Sequence, residues 1–226
     1  MKTDIYDELF NEVEGLKWLP WVGSDYSENR LLLVGESHYV RDESKKVHFS
    51  NKNATVVTVA DFVKGHNWNL FENTQYALIG TDKVDRKALW ESVAFYNFIQ
   101  RPMDTPKGIP SRNDFKDGWK VFFELLKILK PSHCIFLGSS GAEYLWPLIE
   151  KNNDIAFKKN NCSLEKRDRK IGSCFGKIAH LEFDDVCTDI TFIRHPSKYF
   201  SKDKWHEYLM EKAGSILVDL QRKAKK

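Results

Sequence analysis

Short apolar runs, each stopped by glycine or a polar residue, alternate along the chain with stretches in which apolar residues recur every three or four positions. Arg30-Leu31-Leu32-Leu33-Val34-Gly35 has the form of a strand buried on both faces of a parallel sheet. Ser92-Val93-Ala94-Phe95-Tyr96-Asn97-Phe98-Ile99, Cys134-Ile135-Phe136-Leu137-Gly138 and Asp189-Ile190-Thr191-Phe192-Ile193-Arg194 repeat that form. A first helix is predicted with Thr3 or Asp4 as cap and Ile5, Leu9, Val13 and Leu16 on one face, closing near Gly15 or Trp18-Leu19-Pro20. A longer helix is predicted over 111–130, stopped by Pro131, with Phe115, Trp119, Phe122, Phe123, Leu126 and Leu129 on its buried side. Others are predicted over about 140–150 and from Ser201 into the lysine-rich end at 222–226. The stretch 155–183, with Gly172, Gly176 and the basic run 166–170, reads as a loop feeding a hairpin or edge strand.

Strands alternating with helices predict an α/β protein, a three-layer α/β/α sandwich around a central, mainly parallel sheet of about four strands. In open α/β sheets the ligand crevice lies outside the carboxyl ends of the strands. That places four segments around one crevice: Gly35-Glu36-Ser37-His38-Tyr39, Asn97 through Arg101-Pro102, Gly138-Ser139-Ser140-Gly141, and His195-Pro196-Ser197.

Composition narrows this picture. With 226 residues, 42% hydrophobic and 30% charged, the chain is expected to fold as one domain over 1–226. Thirty-five Lys+Arg against 32 Asp+Glu leave a net charge of +3, which excludes a strongly basic nucleic-acid protein as a whole-chain description and makes any basic patch local. Aromatic residues, 13% of the chain, suit a filled core or a pocket that stacks flat ligands. The charged start has no secretory signal pattern and no apolar run approaches bilayer length, so a cytoplasmic protein without membrane contact is expected. Cys134, Cys162, Cys174 and Cys187 are scattered without a C-x-x-C pair and are read as free thiols, mostly buried. No metal, cofactor or obligate protein partner is expected.

The order of the four segments resembles the uracil-DNA glycosylase superfamily over roughly residues 30–206. In that family a strand ends in a motif such as G-Q-D-P-Y-H or G-E-A-P-G, a later strand carries a base-reading Asn, another runs into L-G-S, and the last ends in H-P-S. Here the same order reads Gly35-Glu36-Ser37-His38-Tyr39, Asn97, Leu137-Gly138-Ser139 and His195-Pro196-Ser197. The resemblance implies cleavage of an N-glycosidic bond of uracil or a related deaminated base in DNA, after the nucleotide is flipped into a pocket. It implies that His195 stabilises the charge on the departing base and that Asn97 reads the base edge, with both a donor and an acceptor. Gly35, Ser37 and Tyr39 would line the base pocket, Tyr39 crowding the C5 side. Phe71, or alternatively Tyr76, would stack on the base. Ser139, Ser140, Arg194, Ser197, Lys198 and Lys202 would meet phosphates, and Tyr199 or Phe200 would be the wedge that enters the stack.

The chain departs from the family where an Asp or Asn orients water, since Ser37 stands there and serine is a poor base. Glu36, which matches the Glu of G-E-A-P-G, is therefore assigned the water, with His38, Asp42 and Glu43 as weaker alternatives. The iron–sulfur cysteines typical of the G-E-A-P-G branch are missing, and His38 replaces the motif's proline. Ser37 favours the alternative of a non-catalytic module of the same fold that binds a nucleobase, a nucleotide or DNA.

Overall fold

The structure is a computed structural model and describes residues 1–40, 48–105, 108–151, 155–197 and 199–225. Among the described residues it is a mixed α/β fold with one seven-stranded sheet. The strands are β1 (Trp21–Val22), β2 (Leu31–Gly35), β3 (Val93–Asn97), β4 (His133–Leu137), β5 (Ser163–Ile171), β6 (Cys174–Phe183) and β7 (Val186–Ile193), in the order β1-β3-β2-β4-β7-β6-β5. The pairings β3–β2, β2–β4 and β4–β7 are parallel, and β1–β3, β7–β6 and β6–β5 are antiparallel. The sheet is thus larger than the expected four or so strands, and its parallel pairing is confined to the central strands β3, β2, β4 and β7. The chain adds the pair β5 and β6 as an antiparallel extension, because Gly172, at φ +62°, lets the strands reverse without a crossover helix.

Among the described residues the complete helices are α1 (Asp7–Asn11), α2 (Tyr26–Asn29), α3 (Ala54–Val63), α4 (Asn69–Ile79), α5 (Arg86–Glu91), α6 (Arg112–Leu129), α7 (Leu145–Lys151, after a 3-10 turn over Ser140–Tyr144) and α8 (Lys202–Ala224). Every residue of β2, β3 and β4 is buried, as apolar runs covered on both faces require. Alternation along β2 sends Leu32 and Val34 into a core shared with α1, α6 and α7, and Leu31 and Leu33 into a second core shared with α3, α4, α5 and α8. Helix α6 begins at a capping box, in which Ser111 accepts from the Asp114 amide and Asp114 accepts from the Ser111 amide. It ends at Lys130, in the left-handed region just before Pro131.

Three expectations shift. The first helix is shorter than its apolar spacing suggests. Ile5 and Leu9 are exposed, at 72% and 54%, and Phe10 is the residue that reaches the core. The hairpin and edge strand expected within 155–183 are β6 and β5, but the run 166–170 lies in the edge strand β5 and not in a loop. Helices α3, α4 and α5 fill 54–91, where no element was expected. Cys134 and Cys162 are buried, Cys174 is half-buried and Cys187 is exposed, all as free thiols. Among the described residues no helix is long and apolar enough to cross a membrane.

Trp119 joins α6 to the sheet. It is fully buried, stacks on Phe136 of β4 at 5.4 Å, and donates its indole N–H to the Gly141 carbonyl at 2.9 Å. Trp119→Ala is expected to lower the unfolding free energy by about 3–5 kcal/mol, read by chemical denaturation. A loss below about 1 kcal/mol would show that the neighbouring rings close the gap.

Candidate functional site

Parallel pairing aligns the carboxyl ends of β3, β2, β4 and β7 on one edge of the sheet, with Gly35 beside Asn97 and Leu137 beside Ile193. The loops that follow therefore leave side by side. Gly35, Glu36, Gly138 and Ser140 meet Phe98 and Phe115 around a cavity of about 20 Å³, room for a single water. Among the described residues Glu36 is the one carboxylate in its wall. Burial raises its pKa above the usual carboxylate value, opposed by a hydrogen bond that the Tyr39 hydroxyl donates to Oε2 at 3.3 Å. Burial, and then the Glu36 charge, push the Tyr39 phenol up to about 12.

His195 stands two residues beyond the end of β7, outside the lining of this cavity. Burial lowers its pKa, and its ring makes no hydrogen bond with the described residues. A neutral imidazole with uncommitted nitrogens can donate its one N–H to a developing negative charge.

Other predicted residues have different employment. Asn97 is buried, and its amide donates to Nε2 of His38 at 3.0 Å, so it braces the loop and does not face the cavity. The same His38 nitrogen lies 3.0 Å from the Thr55 hydroxyl on α3. The His38 ring stacks on Phe49 and meets Trp18 edge-on, each at 4.8 Å. Desolvation pushes its pKa down to about 3, which removes it as a base near neutrality. Ser37 donates to the Arg101 carbonyl at 2.8 Å, fixing the two loops together. Phe71 is a core residue on the buried side of α4, packed on Phe62, Trp90 and Phe95, which corrects its assignment as the base-stacking ring. Tyr76 is tied by its hydroxyl to Asp203 and covered by Lys202, whose ammonium also pairs with Asp82 at 2.8 Å.

Phe200 stacks on Trp205 at 6.1 Å and packs against the core, so it is no wedge, whereas Tyr199 is 85% exposed. Arg194 donates to Ser173 Oγ at 3.4 Å at the tip of the β5–β6 hairpin. Ser140 and Ser197 are exposed, and the Ser139 carbonyl accepts from Lys177 at 3.1 Å. Asp42, Glu43 and Lys198 lie outside the described residues.

The structure thus brings Gly35, Glu36, Gly138 and Ser140 together, and ties Tyr39 to Glu36. Sequence reasoning missed Phe98 and Phe115 as cavity walls and Thr55, Trp18 and Phe49 as the seat of His38. Their positions are set by packing between distant segments, which leaves no local pattern. A larger groove of about 830 Å³ runs between α1 and α6. Among its lining charges Arg101 pairs with Asp114 at 2.6 Å and Lys120 with Asp117 at 3.1 Å. Compared with models of known protein families and with curated proteins, the sequence matches none.

The seat of His38 has a measurable consequence. In the unfolded chain a histidine takes up its proton near pH 6.5, whereas in the folded protein His38 does so at about 3 and His133, also buried, at about 4. The unfolded state therefore binds more protons between these values, and stability is present above about pH 6.5 and falls as the pH drops. Each histidine contributes a slope of about 1.4 kcal/mol per pH unit. His38→Gln is expected to remove one such slope between pH 4.5 and 6, measured by denaturant unfolding at several pH values. Parallel slopes for both proteins would mean that His38 titrates freely in the folded state.

Proposed function

We propose that the protein hydrolyses the N-glycosidic bond of uracil or a related deaminated base in DNA, on a fold of the uracil-DNA glycosylase kind. The finer description of that fold, with helical layers on both faces of a parallel core, belongs to the same reading, as does a cytoplasmic setting in which the four thiols stay reduced. The observation that carries it is Glu36, a desolvated carboxylate in the wall of a cavity the size of one water, at the carboxyl ends of parallel strands. Such a carboxylate holds a water and takes its proton more readily than an exposed one would. In the reaction the water oxygen bonds to the sugar carbon, its proton passes to Glu36, and the carbon–nitrogen bond breaks with its electron pair leaving on the base. His195, which burial keeps neutral and which has no ring hydrogen bond among the described residues, donates a hydrogen bond to that base.

A second reading, binding of a nucleobase or of DNA without hydrolysis, is favoured by the commitment of Asn97 to His38 and of Ser37 to Arg101. The cavity also falls far short of the few hundred Å³ of an ordinary ligand pocket, so a base enters only if the loops move apart.

Release of free base from uracil-containing single- and double-stranded oligonucleotides separates the two. Glu36→Gln and His195→Ala are each expected to lower the rate by about 10²-fold or more. The rate should rise with pH through a pKa above the usual carboxylate value, because Glu36 acts only when ionised, and this acid limb should vanish in Glu36→Gln. Intact oligonucleotides beside an active control would sink the hydrolytic reading and leave the binding one.

A further inference from the structure

The β5–β6 hairpin carries a group of side chains that the crevice does not use. Six consecutive charged residues, Glu165 through Lys170, lie in β5. Several are neutralised within the protein: Lys166 pairs with Glu143 at 2.7 Å, Asp168 with Lys212 at 2.9 Å, and Arg169 with Glu211 at 2.9 Å. Arg167 and Lys170 are exposed and have no carboxylate partner among the described residues. Phe175 lies between these two cations. It faces Lys170 directly across the ladder, so both side chains leave the same face of the sheet. The Arg167 guanidinium lies 5.5 Å from the centre of the Phe175 ring. Phe175 is half-exposed and joins neither core.

The face is the one that carries the crevice. Lys177, two residues along β6 and thus on the same side as Phe175, donates to the Ser139 carbonyl at 3.1 Å. Ser139 sits between Gly138 and Ser140, which line the cavity beside Glu36. An aromatic ring flanked by free cations is the arrangement that holds unpaired bases and their phosphates. Paired bases in a duplex keep their faces stacked and offer nothing to such a ring.

We propose that Phe175, Arg167 and Lys170 form a platform on which single-stranded nucleic acid lies as it enters the crevice, one base stacked on Phe175 and the flanking phosphates on the two cations. The proposal rests on the nucleic-acid reading of the site, but it is tested apart from hydrolysis. The probe is a fluorescein-labelled, uracil-containing oligonucleotide, single-stranded or annealed to its complement, with binding followed by anisotropy across a range of salt. Phe175→Ala is expected to weaken single-strand binding about 5- to 100-fold. Arg167→Ala/Lys170→Ala should reduce the slope of log K against log salt by about 1.4, at about 0.7 per phosphate contact on a single strand. Phe175→Leu, which keeps apolar bulk and spares the fold, should bind as weakly as Phe175→Ala, and Phe175→Trp should bind like wild type. The control Lys64→Ala/Lys83→Ala, two exposed cations outside the hairpin, should change neither quantity. Wild-type behaviour of the Phe175 and Arg167/Lys170 variants would overturn the platform, as would tighter binding of the duplex or no binding at low salt. Platform-dependent binding without base release would refute hydrolysis alone. Base release with binding unchanged in the variants would refute the platform alone.

Discussion

At the end of β2 the backbone of Gly35 comes so close to β3 that a Cβ there would collide with the Asn97 amide and the Phe95 ring. Much of the site depends on this contact. It leaves room for the Asn97 side chain to turn toward His38, which in turn meets Thr55 on α3. Two parallel strands, the loop between Gly35 and Tyr39, and a helix from the other core layer are thereby joined through one imidazole. Leaving any of these buried polar groups unmatched costs about 1–3 kcal/mol, so the network holds the loop in one shape. Glu36 gains a fixed place in the cavity wall because the residues on either side of it are tied down, Gly35 by packing and Ser37 by the Arg101 carbonyl.

The arrangement divides the polar residues of the crevice into two kinds. Asn97, Ser37 and His38 spend their hydrogen bonds on architecture, whereas Glu36 and His195 keep theirs largely open. Both of the latter are partly desolvated, which makes the carboxylate a better proton acceptor and keeps the imidazole neutral. Residue type alone does not reveal this division. An asparagine at a strand end offers the same donor and acceptor to a base or to a neighbouring histidine.

What could be read from the sequence follows from how locally each element is determined. The runs 31–34 and 134–137 are legible because a strand buried on both faces is apolar along its length. The long helix over Arg112–Leu129 is legible because its cap, its apolar face and the following proline agree. Helix α3 is not, since Val56-Val57-Thr58-Val59 is a β-branched run whose local preference favours a strand and is overridden by packing. Phe71 shows the same limit in the site. Its place among Phe62, Trp90 and Phe95 is fixed by three segments remote in sequence. The convergence of Glu36 with Gly138 and Ser140 could be foreseen because strand ends in a parallel sheet share an edge. The reach of Tyr39 to Glu36 and the turning of Asn97 away from the cavity depend on side-chain directions that the motif order does not encode.

The two margins of the sheet are treated differently, and the treatment bears on how the protein behaves in a crowded solution. At one margin β1 is only two residues long, too short to template a neighbouring chain. At the other, β5 is nine residues long, but six of them in succession are charged and its register is interrupted between Glu165 and Arg169. Charges and an irregular backbone on an outermost strand discourage a second molecule from adding to the sheet. A chain with such buried, β-prone inner strands is thus guarded at both margins against end-on polymerisation, while the charged strand stays accessible to partners that bind through side chains.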